Sequence, residues 1–170
     1  PGEKFVERGE DAWPLSSTEW TKFHLHPADH VLTTDPQTQD GTLTYGGLSQ
    51  GVTFLTTPLE QETEITGPIA SKLFVSSTTE DADLFLIVRV FSEDMKEVTF
   101  IGAIDPHTPV AQGWLRASHR KLDPELSTPY WPYHPHDEVQ NLQPGEIYEL
   151  DIEIVPTCIV IPKGYRIGFT

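Results

Sequence analysis

Prolines and glycines interrupt this chain so often that long helices are all but excluded. Fifteen prolines and 12 glycines are spread over 170 residues. No window of 11 or more residues free of both sustains the three-to-four spacing of apolar positions that an amphipathic helix needs. Short apolar runs separated by polar turns remain, and these predict an all-β sandwich.

The strongest run is Leu84 to Phe91, rich in Leu, Ile, Val and Phe with Arg89 as its only charge. It predicts a central strand buried on both faces, because β-branched and aromatic residues favour the pleat and eight residues are few for a buried helix. Ahead of it, Gly67-Pro68 reads as a turn, Ile69 to Val75 as a strand, and Ser76 to Asp81 as a polar turn. Glu146 to Val155 carries the clearest alternation. Tyr148, Leu150, Ile152 and Ile154 are expected to face one way, and Glu149, Asp151 and Glu153 the other, giving one wet acidic face. Further strands are expected at Trp20–Leu25, Val52–Leu55, Val98–Ile104 (with Val98, Phe100 and Ile104 on one face), Trp114–Ala117, Ile159–Ile161 and Tyr165–Phe169, while Thr63–Ile65 leads into the Gly67-Pro68 turn.

Residues 1–18 read as a linker anchored by Phe5 and Trp13, and residues 19–170 as the sandwich domain. The chain stops on Thr170 with a strand barely finished, so a domain truncated at its C-terminus, with an exposed edge prone to association, is expected. Residues 119–145 form a long proline-rich excursion, of the kind that serves function or lies across another surface.

Charge narrows the partners. Twenty-six acidic residues against 11 basic ones give a formal net charge of −15, which repels phosphate backbones and anionic membranes. No nucleic acid and no membrane are therefore expected as partners, and no apolar run approaches the roughly 18 residues of a membrane span. The one cysteine, Cys158, excludes an internal disulfide and fits a cytoplasmic location. Its apolar neighbours in Pro156–Pro162 predict a buried, inert thiol.

Three patterns invite chemistry. Gly47-Leu48-Ser49-Gln50-Gly51 matches the G-x-S-x-G of a nucleophile elbow, yet that elbow needs a strand entering and a helix leaving, and Val52–Leu55 is strand-like. A glycine-rich loop is the better reading of Ser49. Histidines cluster at His24, His26 and His30 and again at His134 and His136 beside Asp137. Two H-x-H pairs of this kind suit a metal, as in a cupin-like metal-dependent enzyme, but Glu138 follows His136 too closely and Pro135 disrupts the strand such a motif requires. Solvated loop histidines are favoured, with no metal and no cofactor. His119 and Asp123 would be the partners of any serine triad, a grouping that spacing alone cannot support. Last, Tyr130, Trp131 and Tyr133 stand between prolines. They would serve either as a sugar-stacking platform of a carbohydrate-binding module or, the favoured reading, as an interface anchor.

Five stretches in order resemble one known family: Glu64–Ser77 (EITGPIASKLFVSS) with Asp81-Ala82-Asp83-Leu84-Phe85, Gly113–Arg120 (GWLRASHR), Leu142–Leu150 (LQPGEIYEL) and Pro162–Ile167 (PKGYRI). Trp13-Pro14 and Trp20 resemble the segment by which the family's chain leaves its catalytic domain. Together they look like the C-terminal domain of the cocaine esterase-like and X-Pro dipeptidyl-peptidase-like serine hydrolases. The resemblance implies a galactose-binding-like jelly-roll sandwich joined to an α/β-hydrolase domain that carries the Ser-Asp-His triad. It implies no catalytic residue in this stretch. The expected role is that of a non-catalytic domain of an acyl ester or amide hydrolase, or an X-Pro dipeptidyl-peptidase, packing on the catalytic domain, shaping its pocket rim and taking part in any homo-oligomer.

Overall fold

The computed structural model describes residues 6–38 and 40–170. Among them every regular element is a strand except one 3-10 turn, Ala117–His119. The chain is all-β, and its fold class is that of the β-sandwiches. Nine strands follow in chain order: β1 His24–His26, β2 Val31–Thr33, β3 Phe54–Leu55, β4 Thr63–Val75, β5 Asp83–Phe91, β6 Glu97–Val98, β7 Ala111–Arg116, β8 Tyr148–Ile161 and β9 Arg166–Phe169. They divide into two compact units, one of Pro1–Gly67, Ile87–Val110 and Thr157–Thr170, the other of Pro68–Leu86 and Ala111–Pro156.

In the first unit the strand order is β1-β2-β3-β9-β5, with β6 paired to β5. β1 and β2 are antiparallel, β2 and β3 parallel, and β9 runs antiparallel to both β3 and β5. Gly168 lies opposite Leu55 on one side and Arg89 on the other. A side chain there would meet Phe91 at 2.8 Å and Leu55 at 3.2 Å, so only glycine lets those neighbours close over β9. Thr56 ties the strand ends together: its N–H donates to the Ile167 carbonyl (2.9 Å), its hydroxyl accepts from the Ile167 N–H (3.0 Å), and its carbonyl accepts from Arg166 (2.7 Å). Leu32, Val88, Val90, Val98, Val110, Ile161 and Ile167 form the core here.

The second unit carries strands in the order β5-β7-β8-β4. Gly113 of β7 stands opposite Ile154 of β8, where any side chain would run into the Glu153 carbonyl. Alternation sets the faces. Leu84 and Leu86 of β5, Leu115 of β7, and Leu150, Ile152 and Ile154 of β8 are all buried. The expected reading of Glu146–Val155 therefore holds, with Glu149 and Glu153 exposed on the other side.

Several expectations need correcting. β5 is not buried on both faces: Leu84, Leu86, Val88 and Val90 point inward, while Phe85 is 72% exposed and Asp83 is exposed as well. Seven of the run's eight positions are apolar, and Arg89 alone marks its phase in the sequence. Gly67-Pro68 is not a turn; β4 passes straight through it with Gly67 at φ 141°, a backbone state that suits glycine. β8 likewise continues to Ile161 in one strand. Its alternation slips at Val155 and Pro156, which are both exposed, after which Thr157 and Ile161 turn inward and Cys158 outward. Pro156 has no N–H to give the ladder, and strands accept a proline where pairing is interrupted. Cys158 is thus exposed rather than buried, its sulfur 3.2 Å from the Thr66 hydroxyl.

The Val98–Ile104 strand shortens to Glu97–Val98. The Gly102 N–H bonds to the Asp105 carbonyl (2.8 Å), turning the chain so that Phe100 pairs with Thr108 and Ile104 is fully exposed. Trp20–Leu25 reduces to a strand beginning at His24, with Trp20 and Phe23 exposed, and Trp13 is 58% exposed. Phe5 lies outside the described residues.

Candidate functional site

The best-organised polar cluster sits in the second unit, where the start of β5 meets the end of β7. Asp81 closes the polar turn before β5. Its Oδ1 accepts from the backbone N–H groups of Ala82 and Ser118, both at 2.9 Å, and its Oδ2 accepts the Ser118 hydroxyl at 2.6 Å. Burial pulls the Asp81 carboxyl up, but the Ser118 bonds and the nearby Arg116 outweigh it, and the group stays below the usual carboxylate range. Asp83 and Arg116 form a bidentate pair, Nε to Oδ1 at 2.7 Å and Nη2 to Oδ2 at 2.8 Å, and the Arg116 bond lowers Asp83 as well. Together with Ala82 these groups line an open depression of about 270 Å³. Both oxygens of each carboxylate already accept hydrogen bonds from this chain, and those of Asp81 hold the 3-10 turn against the start of β5.

The excursion 119–145 is pinned to the same unit. The Gln140 N–H donates to the Ser118 carbonyl (2.8 Å), that of Leu142 to the Glu80 carbonyl (2.7 Å), and Leu142 is buried at 1% exposure. Arg120 lies over the Tyr148 ring, 4.5 Å from its centroid. Both ring nitrogens of His134 lie against backbone carbonyls, Nδ1 against Lys121 (3.1 Å) and Nε2 against Asp151 (2.9 Å). A neutral imidazole donates to only one of them, and a charged one to both. His136 lies between His119 and His134: its Nδ1 is 3.1 Å from that of His119, and its ring centroid is 6.2 Å from that of His134. Lys121 pairs with Asp137 and Glu138.

The sequence candidates fall into place as follows. Trp131 and Tyr133 are 52% and 41% exposed, and Tyr130 is half-buried. Trp131 forms a two-way backbone bridge with Thr128, and the Tyr133 N–H donates to the Ser127 hydroxyl (3.0 Å) while its carbonyl accepts from Asp123 (2.9 Å). The three aromatics are therefore held on a folded loop. Ser49 accepts the Gly51 N–H in its own loop, with no strand leading in and no helix leading out. It is no elbow, because the strained strand-to-helix turn that exposes such a serine is absent. Asp123 caps the N–H groups of Glu125 and Leu126. Among the described residues, no three His, Cys, Asp or Glu side chains converge in a way that would hold a metal ion.

A family model for the X-Pro dipeptidyl-peptidase C-terminal non-catalytic domain matches residues 2–170. The chain belongs to that family. A solved CocE/NonD family hydrolase from Staphylococcus aureus superposes with a TM-score of 0.93 at 30% identity, over 98% of this chain and 31% of its own. A curated relative from Mycobacterium bovis, named "Putative serine esterase", is 32% identical over 146 residues, 81% of this chain. This chain spans 20% of the length of that relative. An α-amino acid ester hydrolase shares the fold alone, with a TM-score of 0.51 at 18% identity. What sequence reasoning missed is Trp114, treated only as part of a strand although it stands between Gln112 and Arg116 on the exposed side of β7. A large apolar residue flanked at i±2 by polar ones was the available signal.

Proposed function

We propose that this chain is the non-catalytic sandwich of a serine hydrolase acting on an ester or amide acyl bond, packing on an α/β-hydrolase domain and shaping the rim of its pocket. The observation that carries the reading is the match to the Staphylococcus hydrolase, nearly complete for this chain yet only 31% of that protein. The family's non-catalytic description and the absence of a nucleophile elbow at Ser49 support it. An activated acyl ester offered to the full polypeptide that carries this chain tests it. Turnover is expected to survive Ser49→Ala and to be blocked by a covalent serine-hydrolase reagent that labels a residue outside these 170. Turnover abolished by Ser49→Ala would overturn the reading.

A second reading, carbohydrate binding, draws on the exposed rings of Trp131 and Tyr133 beside Tyr130. It predicts sugar-array binding that Trp131→Ala removes, and silence across a broad array counts against it.

A further inference from the structure

One face of the second unit's sheet is apolar at its middle and covered by nothing in the described chain. The ion pair between Asp83 and Arg116 shows that these residues of β5 and β7 share a face. By the period of two, Phe85 and Trp114 lie on that face too, and they are 72% and 63% exposed. The register of Gly113 with Ile154 sets Glu153 across from Trp114 and Val155 across from Gln112. Lys72 pairs with Glu149 and Asp151, which brings the β4 residues Lys72 and Phe74 onto the same side.

We propose that this outer face, centred on Phe85 and Trp114, is the surface on which the catalytic domain of the same polypeptide seats. The inference rests on the hydrolase reading above and adds the face and its contact chemistry. One observation and two general arguments choose the occupant. The two solvent-exposed aromatics are flanked by side chains already paired with each other, Asp83 with Arg116 and Lys72 with Glu149 and Asp151, so the charged rim needs little from outside. Such a small apolar centre with a polar rim matches the interfaces between domains of one chain. A tether supplies the effective concentration that so modest a patch needs, which a free partner lacks.

Charge disfavours a second copy. The face holds the four carboxylates of Asp83, Glu149, Asp151 and Glu153 against the two cations of Lys72 and Arg116, so two such faces would repel. Glu153 makes no ion pair among the described residues and stands beside Trp114. The seated surface is therefore apolar with at least one cationic or N–H donor aimed at Glu153.

Hydroxyl-radical footprinting of the full polypeptide tests this. Oxidation of Trp114 and Phe85 is expected to be suppressed several-fold relative to the same polypeptide unfolded in urea, equally at all protein concentrations. In a polypeptide with working esterase activity, oxidation of both at nearly the unfolded rate overturns the docking face and leaves the hydrolase reading standing. Protection that fades on dilution together with a dimer seen by mass photometry assigns the face to a second copy and overturns the proposal. A polypeptide whose coding sequence holds no hydrolase domain removes the reading and the face with it.

Discussion

The inner and outer faces of the β5–β7–β8 strands in the second unit both carry large apolar side chains, and those side chains behave as opposites. Leu150, Ile152 and Ile154 point inward and are at most 1% exposed, while Phe85 and Trp114 point outward and keep most of their surface in water. Hydrophobicity alone does not decide burial; what matters is whether this chain brings another layer to that side. Burial of the inner set drives folding. The outer set contributes little to the folded chain by itself and is available to a surface elsewhere.

That contrast can be broken by experiment, beginning with the largest effect. Ile152→Ala removes a fully buried side chain and leaves a cavity, so a loss of about 2–5 kcal/mol is expected by urea denaturation. Next, Gly113→Ala puts a methyl group onto the Glu153 carbonyl across the ladder and should cost about 1–3 kcal/mol by the same measurement. Asp81→Ala leaves Ser118 without its acceptor and is expected to cost about 1–2 kcal/mol. Trp114→Gln, on the outer face, should change the stability of this chain by less than about 0.5 kcal/mol. If Trp114→Gln instead costs as much as Ile152→Ala, the outer face is not a free surface and the distinction between faces collapses.

The smallest effect concerns an exposed pair in the first unit. Hydrogen bonds from Arg8 and Thr66 draw the Glu64 carboxyl down to about 2. Its contribution is complete above the ordinary glutamate range and is lost as the pH falls toward 2. Because both partners lie in water, Glu64→Gln should lower the melting temperature by only about 1 °C at neutral pH, and by nothing measurable near pH 2. An equal loss at both pH values would show that the pair does not act through charge.

Much of this was legible beforehand, for reasons particular residues make plain. Glu149, Asp151 and Glu153 interleave with Leu150, Ile152 and Ile154, and such alternation has one geometric solution. Ser49 failed the context test in sequence and fails it in space. Cys158 misled, because Pro156 shifts the strand's phase where its apolar neighbours look uniform. The acidic corner was visible only as the letters of Asp81-Ala82-Asp83 and Arg116. That they lock onto each other and onto Ser118 depends on β5 and β7 meeting, some 30 residues apart in the chain.

By itself, then, the sequence determined that the chain is all-β, where its main strands run and which family it joins. Punctuation by proline and glycine, alternation and ordered motifs are local properties, readable one residue after another. Only the tertiary structure decided which side of an apolar strand is covered. Apart from Arg89, Leu84 to Phe91 is apolar on both sides, and what covers each side is settled only when the other strands are placed, because burial belongs to the layers that meet on a face and no single strand encodes them.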